Sequence, residues 1–509
     1  MKRIASLLLI LSLAGCGQQM PEAPKPAEEW PGAVTVRLYD DGVETDSDAV
    51  YTDHDIIYYE EGKDFTYGEG TEADAHSTEE AAEHTVVHIT RPGTYVLQGK
   101  LAKGQIAVDL GEEAEEDPNA VVTLVLNGVD ITCTVAPAVI FYNVYECGST
   151  DAETATKEVD TSAAGANVYI AADTTNYVNG SYVARIYQPG TVELSEDGNE
   201  VLDAKKLHKY DAAFYSKMSM NVDGGENGSL HIKAENEGLD SELHLTINGG
   251  AVTIVSGNDG INTNEDGVSV TTINGGAVSI LVTGETGEGD GIDSNGWLVI
   301  NGGTVTASAC NNSADSGIDS DMGIHINGGT VIATGHMLDR IEDGGETYAV
   351  FQFREVQSGE TPVTLKNGAG ETLMNHTPQN DYSILIYSSP ELTEGEYTLW
   401  SDEAQLSVSA GGGMGGFGGI RPGGERPEPP EGFELPEGFD PSQLPVGMKP
   451  FEGKEPPEGV EPPEEGGERP QRPEGMGGGF RPGGFGGEMP QGETSETVTM
   501  QNGGNMFIV

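Results

Sequence analysis

Between residues 238 and 339, apolar and polar residues alternate with a period of two, broken at regular intervals by Asn-Gly-Gly. Leu243, Leu245 and Ile247 lead to Val252 and Ile254, Ile300 leads to Val305 and Ala307, and Ile324 and Ile326 lead to Val331 and Ala333. Alternation sends successive side chains to opposite faces, which marks strands rather than helices. Ile-Asn-Gly-Gly starts at Ile247, Ile273, Ile300 and Ile326, in steps of 26, 27 and 26 residues. Such a period marks a solenoid with one supersecondary unit per repeat. The glycines supply a positive-φ corner between strands. Short strands, sharp corners and a 26-residue circuit together predict an all-β, right-handed parallel β-helix.

A second motif rides on the first. Gly238-Leu239-Asp240-Ser241-Glu242 returns as Gly260-Ile261-Asn262-Thr263-Asn264, as Gly291-Ile292-Asp293-Ser294-Asn295 and as Gly317-Ile318-Asp319-Ser320-Asp321. The apolar residue and the Ser or Thr share one parity, and the acidic or amide residues share the other. With the apolar residue inward, Asp240, Asn262, Asp293 and Asp319 point outward and stack. Asparagines 248, 274, 301 and 327 are expected to form a structural amide ladder at the corner.

Upstream the alternation is less regular. Val87 and Ile89, Tyr95 and Leu97, Ile106 and Val108, the apolar run 121–126, then 129–131, 168–170, 214–220 and 230–232 read as earlier rungs of the same coil. Before them, 34–38 and 56–59 read as strands. After Asp339 the repeat stops. Segments 348–356, 363–365, 383–387 and 397–400 predict antiparallel strands of a small C-terminal β module, with 388–395 in a hairpin-like connection. This module would hide the open end of the solenoid. Residues 411–493 are rich in Gly, Pro and Glu, lack the apolar content of a core, and are expected to be disordered. Strand-like sequence returns at 498–500 and 506–509. The resulting division is a signal peptide at 1–15, a Pro-rich tether at 16–33, the β-helix at 34–345, the β module at 346–410, the disordered segment at 411–493 and a returning strand at 494–509.

Charge changes the picture most. The 509 residues carry 84 acidic and 25 basic side chains, a net charge of −59. That excludes nucleic acid as an electrostatic partner and disfavours an anionic membrane surface. At the N-terminus, Lys2 and Arg3 precede an apolar run from Ile4 to Ala14, too short to span a bilayer and typical of an export signal. Leu13-Ala14-Gly15-Cys16 resembles the bacterial lipobox, which implies lipid on Cys16 and anchoring at the cell surface. Cys133 and Cys147 either pair, as export permits, or remain buried thiols. Cys310 reads as a small core filler.

The residues quoted resemble the carbohydrate-binding β-helix lipoproteins of cellulolytic clostridia, related in fold to pectate lyases. The resemblance rests on Ile89-Thr-Arg-Pro-Gly-Thr-Tyr95, Leu124-Val-Leu-Asn-Gly-Val-Asp-Ile131, the Gly-Ile-Asp-Ser units, the Ile-Asn-Gly-Gly corners and Ser388-Ser-Pro-Glu-Leu392. It spans roughly residues 85–409. It implies calcium within the β-helix and binding of plant cell-wall glycans, both cellulose-like and acidic. The Gly/Pro/Glu segment and the acidic insertions at 112–117 and 146–160 depart from the pattern.

The residues support a cation independently. Parallel strands lie about 4.8 Å apart, so stacked Asp293 and Asp319 would repel by about 3.5 kcal/mol at an effective dielectric of 20. Residues 234–339 hold 15 acidic side chains and no Lys or Arg. Hard oxygen donors without thiolate or clustered imidazole point to Ca²⁺. The expected ligands are Asp240, Glu242, Asp259, Asn262, Asn264, Asp290, Asp293, Asn295, Asp319 and Asp321. The competing reading is a solvated acidic face. For sugar stacking, Trp297 is the candidate platform. It is aligned with His244, which shares its outward position. Tyr142, Tyr145, Tyr169 and Tyr177 read as core or rim. No catalytic constellation is visible. Elimination on a uronate needs a base, and Lys205, Lys206, Lys209, Lys217, Lys233, Arg340 and Arg354 all lie outside the repeat. The function expected is therefore a lipid-anchored, calcium-dependent, non-catalytic binder of polysaccharide. The alternatives are a calcium-stiffened adhesin or spacer without glycan affinity, and a polysaccharide lyase.

Overall fold

A computed structural model describes residues 30–40, 42–410 and 494–509. The expected signal peptide, Cys16, most of the 16–33 tether and the 411–493 segment lie outside the described residues. Strands dominate, as the alternation predicts. One short α-helix, Thr78–Ala82, and one 3-10 turn, Glu112–Glu116, are the exceptions among the described residues.

Three ladders of parallel strands carry the repeat. The first runs through Thr85–Ile89, Gly104–Asp109, Val139–Asn143, Ala212–Ser216, Glu237–Ser241, Ile261–Thr263 and Ile292–Ser294. The second runs through Ala166–Ile170, Met220–Gly224, His244–Ile247, Val270–Ile273, Trp297–Ile300 and Gly323–Ile326. The third runs through Thr175–Gly180, Ser229–Ala234, Ala251–Ser256, Ala277–Val282, Thr304–Ser308 and Thr330–Gly335. From Val139 to Ser308 each circuit of the chain gives one strand to each ladder in turn, and Gly323–Ile326 and Thr330–Gly335 then follow without a first-ladder strand.

Because partners are one repeat apart, like stacks on like. Leu239, Ile261 and Ile292 share one register position, and Ile247, Ile273, Ile300 and Ile326 share another. Val252, Val278, Val305 and Val331 share a third. All of these are buried, each burial being worth about 1.5–3 kcal/mol. The inward Ser/Thr parity also holds: Ser241, Thr263, Ser294 and Ser320 are buried. The hydroxyls of Ser241 and Ser294 donate to the carbonyls of His244 and Trp297, at 3.1 and 3.0 Å, and so tie down the turn between the first and second ladders.

At the Asn-Gly-Gly corner the second glycine takes φ of 82° at Gly250, 80° at Gly276, 79° at Gly303 and 91° at Gly329. This is left-handed backbone that a side chain disfavours. The adjacent asparagines form the expected ladder. Each Nδ2 donates to the Oδ1 one rung back, from Asn274 to Asn248, from Asn301 to Asn274 and from Asn327 to Asn301, at 2.8–2.9 Å.

The last third-ladder strand, Thr330–Gly335, is paired antiparallel by Tyr382–Ser388. That strand in turn pairs with Tyr348–Gln357. Gly504–Ile508 joins Tyr348–Gln357 in parallel, not antiparallel, register. A smaller antiparallel sheet holds Val363–Asn367, Thr372–His376, Gly395–Ser401 and Val498–Met500. The strands flanking 388–395 belong to different sheets, so the expected hairpin there is instead a crossing between sheets. Residues 56–59 are not a strand, although Ile56 and Tyr59 are buried. Val50–Asp53 pairs with Thr85–Ile89 instead. Cys133, Cys147 and Cys310 are free thiols. Burial pushes the pKa of Cys133 up to about 12 and that of Cys147 up to about 11.

Candidate functional site

The first ladder brings the acidic motif into register. Asp240 pairs with Asn262, and Asn262 with Asp293. Asp319 extends the column through its N–H, which donates to the Ile292 carbonyl. The row two residues on stacks likewise. The backbone N–H groups of Glu242, Asn264, Asn295 and Asp321 donate to Ser216, Ser241, Thr263 and Ser294 in order. Side chains knit the rows together: Asn264 Nδ2 donates to Asp240 Oδ1 at 2.7 Å, and Asn295 Nδ2 to the Asn264 carbonyl at 2.9 Å.

A further row precedes each glycine. Asp259 Oδ1 accepts the Asp290 N–H at 2.7 Å, and Asp290 Oδ1 accepts the Ser316 N–H. Glu237 occupies the equivalent position before Gly238, and Asn262 Nδ2 donates to its Oε1 at 3.1 Å. Glu237 is a site residue absent from the expected set. Its signal was available, since it precedes Gly238 as Asp259 precedes Gly260 and Asp290 precedes Gly291. Asp211 is the other omission. It lies outside the repeat, yet its charge acts on both Glu237 and Asp240.

The column is closed to solvent at its start, whereas Asp290, Asp293 and Asp319 are part-exposed and Asp321 is exposed. Asp240 is 0% exposed, Glu237 6%, Asn262 8% and Asp259 9%. Burial, followed by neighbouring carboxylates, pushes the carboxyls of Glu237 and Asp240 well above the usual range. Burial raises Asp259, Asp293 and Asp319 to about 7, and Asp290 to about 10. Burial also raises Glu242 and Asp321. The competing reading of a solvated acidic face does not describe Glu237, Asp240 and Asp259, which are buried.

Three oxygens in this cluster, Glu237 Oε2, Asp240 Oδ2 and Asn262 Oδ1, are buried and accept no hydrogen bond. A buried acceptor without a donor costs about 1–3 kcal/mol, and more when charged. Two carboxylate oxygens and an amide oxygen are the donor chemistry of a hard cation. As the side chains stand, no three His, Cys, Asp or Glu residues among the described residues form a metal-holding group. The mixed set with Asn262 is the one whose chemistry fits.

The expected sugar contacts separate. His244, Val270, Trp297 and Gly323 share a register position, as the alignment required. Trp297 is partly exposed. His244 is 2% exposed, and its Nδ1 accepts the Val270 N–H at 3.1 Å. The 146–160 insertion lies against it, so that a side chain on Gly148 would meet the His244 ring at 2.7 Å. Burial lowers its pKa to about 4, leaving a neutral imidazole engaged with backbone. His244 is therefore packing, and of the pair only Trp297 retains an accessible ring.

A family model described as carbohydrate-binding domain-containing protein matches residues 83–350. No curated relative matches the chain. Among solved structures, a polysaccharide lyase-like protein from C. thermocellum, determined as a gadolinium derivative, is 21% identical. The likeness covers 59% of this chain and 93% of that one, with a TM-score of 0.31.

Proposed function

The chain belongs to the carbohydrate-binding domain-containing family, and we propose that it is a lipid-anchored, surface-displayed protein that binds polysaccharide with the help of Ca²⁺. The family match supports a glycan partner and names binding, not a reaction. One observation supports the cation: the partnerless oxygens of Glu237, Asp240 and Asn262 within a carboxylate column. Those three residues would hold the ion, with Asp259, Asp290, Asp293 and Asp319 as further oxygen donors along the column. The cation would neutralise the buried carboxylates, and an ion at the more open end of the column, beside part-exposed Asp293 and Asp319, would be the one to bridge to a glycan carboxylate. In this reading the three ladders form a right-handed parallel β-helix over residues 34–345. Residues 346–410, joined by the returning strand at 494–509, close its end. Lipid on Cys16 and an exported location belong to the same proposal. The test is depletion of the full chain from solution by insoluble cellulose and by calcium-free polygalacturonate gel, with and without added calcium. Retention on polygalacturonate only with calcium supports the proposal. Retention on neither polysaccharide leaves the adhesin or spacer reading.

A further inference from the structure

Away from the carboxylate column's buried oxygens, the first ladder borders a second feature of different chemistry. A cavity of about 570 Å³ opens between the ladder and residues 206–210. Its volume falls in the range of small-ligand sites, about 300–1,000 Å³. Tyr142 and Tyr210 meet edge to face there, with centroids 5.4 Å apart and planes at 77°, which gives the cavity two aromatic walls at nearly a right angle. Tyr215 packs behind Tyr210 at 5.3 Å and donates its hydroxyl to Glu242 Oε1 at 2.7 Å.

His208 lines the same cavity and stacks on Tyr210 at 4.0 Å, with planes 10° apart. It is 7% exposed, and neither ring nitrogen has a hydrogen-bond partner. A buried imidazole donor and acceptor left unsatisfied at a cavity wall is costly. A polar ligand reaching that wall removes the cost.

Charge selects the ligand class. Five glutamates and three lysines line the cavity. Lys206 is engaged by Glu69 at 3.0 Å and Lys217 by Glu115 at 2.7 Å. Lys209 has no ion-pair partner among the described residues. A uronate entering here would meet one free ammonium against an excess of carboxylates. A cationic ligand would meet Lys209. A neutral sugar avoids both conflicts. Its ring face stacks on a tyrosine, and its hydroxyls both donate to Glu242 and accept from Lys209. We propose that this cavity, which shares Glu242 with the edge of the acidic cluster, is a binding site for a neutral pyranose, distinct from the buried oxygens that would hold the cation. The inference rests on the glycan-binding reading above.

The experiment uses the full chain with cellohexaose, xylohexaose and mannohexaose as neutral probes, and polygalacturonate in calcium as the acidic one. Affinities are measured by calorimetry, and hydrogen exchange is followed at 142–146 and 206–210. Wild type is expected to bind at least one neutral probe, with slowed exchange in both segments. Tyr142→Phe, which removes only a hydroxyl, is expected to weaken that binding about threefold, and Lys209→Met or Tyr210→Ala at least tenfold. Polygalacturonate binding stays unchanged in all three. Neutral binding that is unaffected by the variants and leaves exchange at 206–210 unchanged would overturn the cavity assignment while glycan binding stands. Binding of polygalacturonate alone would overturn the neutral class. Wild type that binds no probe overturns both readings. Exchange protection is read in wild type, so a variant that fails to fold does not blunt the test.

Discussion

Replacing Asp240 by Asn tests the cation reading with two signs at once. Asp240 is fully buried, and its carboxyl is opposed by burial and then by the charges of Glu237, Glu242 and Asp211. Asn keeps the shape and the Oδ1 that accepts from Asn264 but removes the charge. The register partners of Asp240 are Tyr215 and Asn262, so the repulsion comes from the carboxyls of Glu237, Glu242 and Asp211; one charge about 5 Å away costs roughly 3 kcal/mol at an effective dielectric of 20, an upper size because protonation relieves it. In chelator at pH 8 the variant is therefore expected to melt no lower than wild type. Calcium should act oppositely on the two. An ion at 100 times its Kd stabilises the folded chain by about 2.7 kcal/mol, which corresponds to a Tm rise of about 5 °C in a large domain. Wild type should show that rise and Asp240→Asn should lose most of it. Glu237→Gln should behave alike. The assay is a calcium titration followed by scanning calorimetry. A variant that melts lower in chelator yet keeps the full calcium response would refute the argument, because Asp240 would then be a structural acceptor and not a ligand.

Four further outcomes follow from the same geometry. Burial raises the carboxyls of Asp259, Asp293 and Asp319 to about 7, above the ordinary 3.8 of an aspartate. In chelator their stabilisation is fully present below about pH 4 and is lost as pH rises through 7. Calcium stabilisation should instead grow between pH 5 and 8, and melting curves across that range check both slopes. Ile292→Ala empties a fully buried stack position and should cost about 2–5 kcal/mol in denaturant unfolding. Gly260→Ala puts a methyl 2.1 Å from Ile280 Cγ2 and should destabilise by about 1–3 kcal/mol or more. Cleavage at a protease site engineered near residue 450 should leave residues 494–509 associated on a sizing column. Gly504–Ile508 and Val498–Met500 are paired into the C-terminal sheets.

Much of this was legible because a repeat converts sequence spacing into spatial neighbourhood. Asp240, Asn262 and Asp293 are 22 and 31 residues apart, but each holds the same place in the Gly-apolar-Asp/Asn-Ser/Thr unit and so had to share a column, and parity alone separated inward Ser241 from outward Asp240. The same logic yielded the amide ladder at Asn248. Residues that reach the site from outside the repeat obey no period. Gly148 covers His244 from 96 positions away, and nothing in either neighbourhood announces the contact. Tyr142, Tyr210 and His208 converge through an irregular excursion between the Thr175–Gly180 and Ala212–Ser216 strands, so a rim reading of Tyr142 was the most that pattern could support. Burial at the start of the acidic column was equally hidden. Outward parity implies solvent only where no segment crosses the ladder, and residues 206–211 lie over this one's beginning.

The central claim, calcium-assisted binding of polysaccharide, is tested most directly by calorimetric titration of soluble polygalacturonate into the full chain, first in excess calcium and then in chelator. Saturable heat is expected in calcium, with its loss in chelator and its recovery when calcium is restored. Equal binding with and without calcium would contradict the bridging role of the carboxylate column, and absence of heat in both would contradict acidic-glycan binding itself.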